Sequence, residues 1–64
     1  MTIDALDQRR LDWLREAASR DVPPVLEHEV ERLVREGVAE WMPARVVVVG
    51  GHRVKRKRAR ALPR

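Results

Sequence analysis

A run of four valines followed by two glycines is the feature that most constrains the fold of this chain. Val46 to Val49 carry the β-branched side chains typical of strands, and Gly50-Gly51 follows them directly. A two-residue hairpin turn needs positive φ at its central residues, which glycine adopts without steric cost. We therefore predict a β-hairpin over residues 44–60. Its pairs are Val49 with His52, Val48 with Arg53, Val47 with Val54, and Val46 with Lys55.

This pairing divides the hairpin into two faces. One face is mostly apolar and the other is mixed, and we expect the apolar face to pack on the core. The apolar face consists of Val47, Val49, Val54 and His52; the mixed face consists of Val46, Val48, Arg53, Lys55 and Lys57. Residues 38–41 predict a short third strand ahead of the hairpin, and Pro43 separates the two.

Two segments with helical periodicity precede the hairpin. Apolar residues recur at helical spacing over residues 3–19, with Thr2 as a candidate N-cap. A second helix is predicted over residues 23–36, because proline suits the first turn of a helix and Gly37 suits its end. Within the first helix, Asp7 and Arg10 lie three residues apart and are expected to form an ion pair.

The predicted architecture is therefore α+β: two helices followed by a C-terminal β-hairpin, in one small domain over residues 1–64. Residues 61–64 are expected to fray. A chain of 64 residues has a core that only just offsets its conformational entropy. We therefore expect a homodimer, whose interface would also cover Val46 and Val48 on the mixed face of the hairpin.

Charge is strongly segregated along the chain. Residues 44–64 contain eight basic residues and no acid, whereas residues 1–43 contain ten acids and six arginines. An unopposed basic segment is typical of proteins that bind polyanions, because each cation laid against a phosphate releases counterions. The predicted nucleic-acid-binding residues are Arg45, Arg53, Lys55, Arg56, Lys57, Arg58 and Arg60. Double-stranded DNA is favoured, since Phe and Tyr, which stack on single-stranded bases, are absent.

The stretch from Val30 to Glu40 resembles the end of a recognition helix running into a wing, and Val46 to Arg60 resembles the wing itself. The chain is thus similar to a winged helix-turn-helix domain, in a reduced form that lacks a clear middle helix. The resemblance implies a transcriptional regulator whose helix docks in a DNA groove while its hairpin contacts the backbone. Groove-facing positions would be His28, Glu31, Arg32 and Arg35, and the hairpin would supply most of the binding free energy.

Three other readings of the basic segment remain open. Flanking charges protect valine-rich strands from aggregation, and the acidic helices could attract the basic segment of their own chain. The segment could also bind an acidic protein surface, which would make the chain an interaction or inhibitor module of the kind that phages and mobile elements encode. DNA binding and protein binding are the two functions to be separated, and RNA binding is a third possibility.

Enzyme chemistry is not indicated by the sequence. Ser19 is the single serine and no cysteine is present, so we predict no catalytic residues. His28 with Glu27 and Glu31 offers too few ligands for zinc, and we predict no metal, no other cofactor and no small-molecule substrate. The chain starts with acidic rather than basic residues, so we expect no export signal. It has no apolar stretch long enough to span a membrane, so we expect no membrane insertion. A cytoplasmic location is expected.

Overall fold

Two helices and a three-stranded antiparallel sheet make up the protein, in a computed structural model that describes residues 3–63. In chain order the elements are α1 (Ala5–Arg15), β1 (Arg20–Asp21), a 3-10 turn (Pro24–Leu26), α2 (Glu27–Arg35), β2 (Ala39–Val49) and β3 (His52–Ala61). The strand order is β1-β3-β2, with β3 in the centre. The predicted α+β class with a C-terminal hairpin is confirmed. These residues hold no third α-helix, so the architecture does not by itself show a winged helix.

Helix α1 is shorter than predicted at both ends. Asp4 is its N-cap and accepts a hydrogen bond from the Asp7 backbone N–H at 2.9 Å. The predicted cap, Thr2, lies outside the described residues. Residues 16–19 leave the helix because the chain must turn to bring Arg20 and Asp21 alongside β3. Strand pairing thus overrides helical propensity in this segment.

Helix α2 is also shorter than the predicted 23–36. Its approach is a 3-10 turn beginning at Pro24, and regular α-helix starts only at Glu27. Gly37 ends it with a φ of 79°. The Val38 N–H donates to the Leu33 carbonyl at 3.1 Å, and the Gly37 N–H donates to the Val34 carbonyl at 3.0 Å. This pair of bonds is the Schellman motif, so the predicted glycine stop is confirmed.

The hairpin is longer than the predicted 44–60, because the predicted third strand is continuous with it. Strand β2 runs from Ala39 through Pro43 to Val49, and β3 reaches Ala61. Both turn glycines have positive φ, 56° and 80°, as a type I′ turn requires. All four predicted cross-strand pairs are confirmed. The expectation that residues 61–64 fray is wrong for Ala61, which is in β3, and the Leu62 N–H donates to the Val38 carbonyl.

A β-bulge changes which face of the hairpin packs on the helices. Met42 pairs with Arg58 and Arg45 with Arg56, so two residues of β2, Pro43 and Ala44, oppose one residue of β3. The extra residue reverses the alternation of β2. The core face of β3 is therefore the one that carries Ala59, followed towards the turn by Lys57, Lys55 and Arg53.

The predicted core face of the hairpin is consequently wrong. The buried residues lie at the base of the sheet and on the facing helices: Leu11, Leu14, Val22, Val30, Leu33, Ala39 and Ala59. Val49 and Val54 are exposed, and so are Val46 and Val48 on the opposite face. The helices end before they reach the outer half of the hairpin. That half projects from the body and makes the protein 44 Å long.

Ion pairs join the two helices in a pattern that differs from the prediction. Asp7 is buried and accepts from the Arg32 guanidinium, with an Nη2–Oδ1 distance of 2.7 Å. Arg10 pairs with Glu29 at 3.3 Å rather than with Asp7. The hydrogen bond and charge of Asp7 raise the pKa of Arg32 above its ordinary value. A local i,i+3 pair is thus replaced by two contacts between helices, because α2 packs directly on the Asp7 side of α1. Leu6, one of the apolar residues of α1, is exposed.

Candidate nucleic-acid interface

The predicted DNA-binding residues fall into groups that differ in what each side chain contacts. All seven belong to β2 and β3, which hold them on one rigid ribbon. Four make contacts within the body of the protein. The other three, which lie towards the turn, make no salt bridge with any residue in the 3–63 range.

Three cations at the base of the hairpin are neutralised by carboxylates, and we call Arg45, Lys57 and Arg60 the base cations. Arg45 Nη2 lies 3.1 Å from Asp21 Oδ2, and Lys57 Nζ lies 3.3 Å from Glu27 Oε2. Arg60 pairs with Glu40 across the sheet. The possibility that the acidic half of the chain attracts its basic half is therefore realised for these three residues.

Arg58 contacts a neutral group instead. Its Nη2 donates to the Ser19 hydroxyl at 2.9 Å, and its side chain is half-buried where the chain enters β1. Arg58 is therefore held in place without being neutralised by a carboxylate in the described part of the chain.

Three cations remain exposed on the outer half of the hairpin, and we call Arg53, Lys55 and Arg56 the tip cations. Their cross-strand neighbours are Val48, Val46 and Arg45 respectively. Arg53 and Lys55 share one face, while Arg56 lies on the other face opposite Arg45. Arg45 is paired with Asp21, whereas Arg56 has no carboxylate partner among residues 3–63. Both faces of the ribbon are thus electropositive.

The outer half of the hairpin is a projecting two-stranded ribbon that exposes both apolar and basic side chains. Residues 45–49 of β2 extend about 17 Å at the usual rise of a strand. A two-stranded ribbon fits the major groove of B-DNA. Val46, Val48 and Val49 are 54%, 72% and 51% exposed, so apolar side chains alternate with the tip cations.

The predicted groove-facing residues of α2 do not form one uniform basic surface. His28 and Arg35 are exposed. Arg32, although also exposed, is engaged with Asp7 of α1. Glu31 accepts a hydrogen bond from the Trp41 indole at 2.9 Å. A role in a DNA groove stays a prediction for these residues.

The sequence does not show which carboxylates pair with the base cations. Asp21–Arg45 and Glu27–Lys57 join residues 24 and 30 positions apart, and no local pattern connects them. The Glu40–Arg60 pair could almost be predicted from the hairpin register. Extending the hairpin register back from the turn would pair Glu40 with Ala61, and the bulge moves the pairing by one residue, to Arg60.

Residues 3–63 contain no cluster of three or more His, Asp or Glu residues arranged to hold a metal ion. Neither helix of residues 3–63 has the length and apolar character needed to cross a bilayer. No protein-family model, curated protein or solved structure matches the chain. The site must therefore be interpreted from its own geometry and charge.

Proposed function

We propose that this protein binds double-stranded DNA through the outer half of its hairpin. The observation that carries the proposal is the division of the basic residues: the base cations are neutralised internally, whereas the tip cations are exposed and have no carboxylate partner among residues 3–63. A projecting ribbon with cations on both faces suits phosphates on either side of a groove. The winged-helix resemblance and a use in transcriptional regulation stay predictions.

The structure allows a matched comparison of two triple variants. One variant changes the tip cations (Arg53→Gln, Lys55→Gln, Arg56→Gln) and the other changes the base cations (Arg45→Gln, Lys57→Gln, Arg60→Gln). Both remove three positive charges, so a general loss of charge affects them equally. Binding to a fluorescently labelled random duplex is measured by anisotropy at several salt concentrations.

We expect the tip variant to lose most of its affinity, with a plot of log affinity against log salt that is flatter by about 3. The base variant should keep a slope close to that of the parent, because its cations are already neutralised. DNA binding through the tip is contradicted if the two variants bind alike. It is also contradicted if the parent does not bind.

A second candidate function is binding to an acidic protein surface, and the exposed valines favour it. Val46, Val48 and Val49 lie on β2, which is an edge strand of the sheet. Exposed apolar edge strands tend to pair with another chain. A second copy of the protein would also cover these valines. We therefore keep the predicted homodimer as a proposal. In the anisotropy assay, protein binding predicts that polyglutamate competes as well as unlabelled DNA of equal charge.

A further inference from the structure

A cleft on the body of the protein brings together three arginines from distant parts of the chain. It has a volume of about 420 Å³ and is lined by Trp13, Ser19, Arg20, Asp21, Arg45 and Arg58. These residues come from α1, from the connection to β1, and from all three strands. The volume is in the range of sites that bind small ligands. The cleft depends on β1, since the pairing of β1 with β3 brings Arg20 and Asp21 beside Arg58.

The lining carries an excess of positive charge. Three guanidinium groups face one carboxylate, that of Asp21. Asp21 Oδ2 accepts from Arg45 Nη2 at 3.1 Å. Arg20 is held by two hydrogen bonds, from its Nε to the Trp13 carbonyl at 2.7 Å and from its Nη2 to the Glu16 carboxylate at 3.2 Å, and its guanidinium lies 4.9 Å from the centre of the Trp13 ring. Two of the arginines are therefore fixed in orientation by groups of the protein.

Arg58 is the member of the cleft whose charge is not matched. The strand register places it opposite Asp21, yet the Asp21 carboxylate bonds to Arg45 instead. The one hydrogen bond of its side chain within residues 3–63 is to the neutral Ser19 hydroxyl. A guanidinium has five N–H donors, and its strongest partners are bidentate anions such as carboxylate and phosphate. A half-buried arginine with only a hydroxyl partner, at the side of an open cleft, is suited to bind an anion.

We propose that this cleft binds a phosphate group. Arg58 is the main donor, and the Ser19 hydroxyl both orients Arg58 and donates to the anion. The phosphate would come from a DNA backbone that also contacts the tip cations. The assignment of the phosphate to DNA rests on the proposed function, whereas the binding of phosphate in the cleft does not. Free phosphate has the same chemistry and is separated from DNA by the experiments below.

The first experiment is a titration of the protein with inorganic phosphate. NMR spectra of the Arg58 Nε–H and the Trp13 indole N–H report on the cleft, and Arg58→Gln is compared with Arg60→Gln. The two variants remove the same charge from the same strand, but Arg60 lies outside the cleft and is neutralised by Glu40. We expect saturable Trp13 shifts in the parent and in Arg60→Gln, and their loss in Arg58→Gln. Equal responses of the two variants would overturn the phosphate site.

A second pair of variants keeps the test informative if Arg58→Gln unfolds. Ser19→Ala removes the hydroxyl that holds Arg58, and Ser19→Thr retains it. We expect phosphate to bind several-fold more weakly to Ser19→Ala, with recovery in Ser19→Thr. If Ser19→Ala binds phosphate as well as the parent does, the assigned role of the hydroxyl is wrong.

The salt dependence of DNA binding then identifies the source of the phosphate. If the cleft holds a backbone phosphate, Arg58→Gln flattens the salt slope by about 1 relative to Arg60→Gln. Saturable phosphate binding with no difference in DNA slope assigns the site to free phosphate. Saturable phosphate binding by a parent that does not bind DNA contradicts the proposed function and leaves the phosphate site standing.

Discussion

Single residues decide how the two helices are joined. Asp7 is 3% exposed and is the one buried polar or charged residue among residues 3–63. It satisfies two nitrogens of Arg32 with its two carboxylate oxygens. The raised pKa of Arg32 means that its stabilising contribution is present below the unfolded-state pKa and is lost only as pH rises through the higher folded-state value. Titration of Arg32 should therefore leave stability unchanged near neutral pH.

We predict that Asp7→Ala is clearly destabilising. Removal of this buried carboxylate should lower the free energy of unfolding by more than about 1 kcal/mol, because its hydrogen bonds are lost together. Asp12→Ala is the matched control, since Asp12 lies on the same helix and is 61% exposed, with an exposed hydrogen bond from Gln8 at 2.9 Å and an ion pair with Arg15 at 4.0 Å. It should stay within about 0.5 kcal/mol of the parent. Urea unfolding followed by circular dichroism measures both, and equal effects would show that the Asp7 contact does not stabilise the fold.

The sequence could not predict this contact. Periodicity placed Asp7 near Arg10 on one helix, and that local pair was the simplest interpretation. The pair that forms instead joins residues 25 positions apart. Its partner depends on how α2 lies across α1, which is set by core residues such as Leu11 and Leu33 packing together. Packing between elements is not encoded in local spacing.

At the scale of elements, the sequence predicts the hairpin, but it does not predict the pairing of β1 with β3 or the face of the sheet that packs on the helices. Gly50-Gly51 fixes the turn, and the turn fixes the register of the outer pairs. The bulge at Pro43-Ala44 then reverses the alternation of β2, so counting valines from the turn gives the wrong core face. Strand β1 has only two residues, Arg20 and Asp21, and neither is a typical strand former. It forms because β3 offers a free edge beside it.

The turn provides a prediction at this scale. Gly51 has a φ of 80°, and valine is disfavoured there by about 1–2 kcal/mol because its Cβ is crowded in the left-handed region. Gly51→Val should therefore destabilise the hairpin by that amount in urea unfolding. Gly50→Asn is the control, because asparagine tolerates positive φ and is favoured at the first position of a type I′ turn. We expect it to stay within about 0.5 kcal/mol of the parent; an equal loss in both variants would contradict a type I′ turn.

At the scale of the whole molecule, charge is divided between a body in which most cations form salt bridges and a ribbon whose tip cations have no carboxylate partner among residues 3–63. The formal net charge of +4 understates this division. Carboxylates on the body and on the near end of the sheet neutralise the base cations, so the surplus is concentrated at the projecting end. The sequence predicted a basic hairpin correctly. Of the seven cations that it predicts to contact DNA, the base cations form salt bridges within residues 3–63, whereas the tip cations and Arg58 form none. The difference is the set of ion pairs that tertiary packing creates.

The measurement that tests this account most directly is the salt dependence of binding between the unmodified protein and a random DNA duplex. Three tip cations predict that log affinity falls with log salt at a slope of about −3, or about −4 if Arg58 also holds a phosphate. A slope near −6 would show that the base cations also contact DNA, against their assignment to internal carboxylates. A slope near zero would contradict DNA binding through the hairpin altogether.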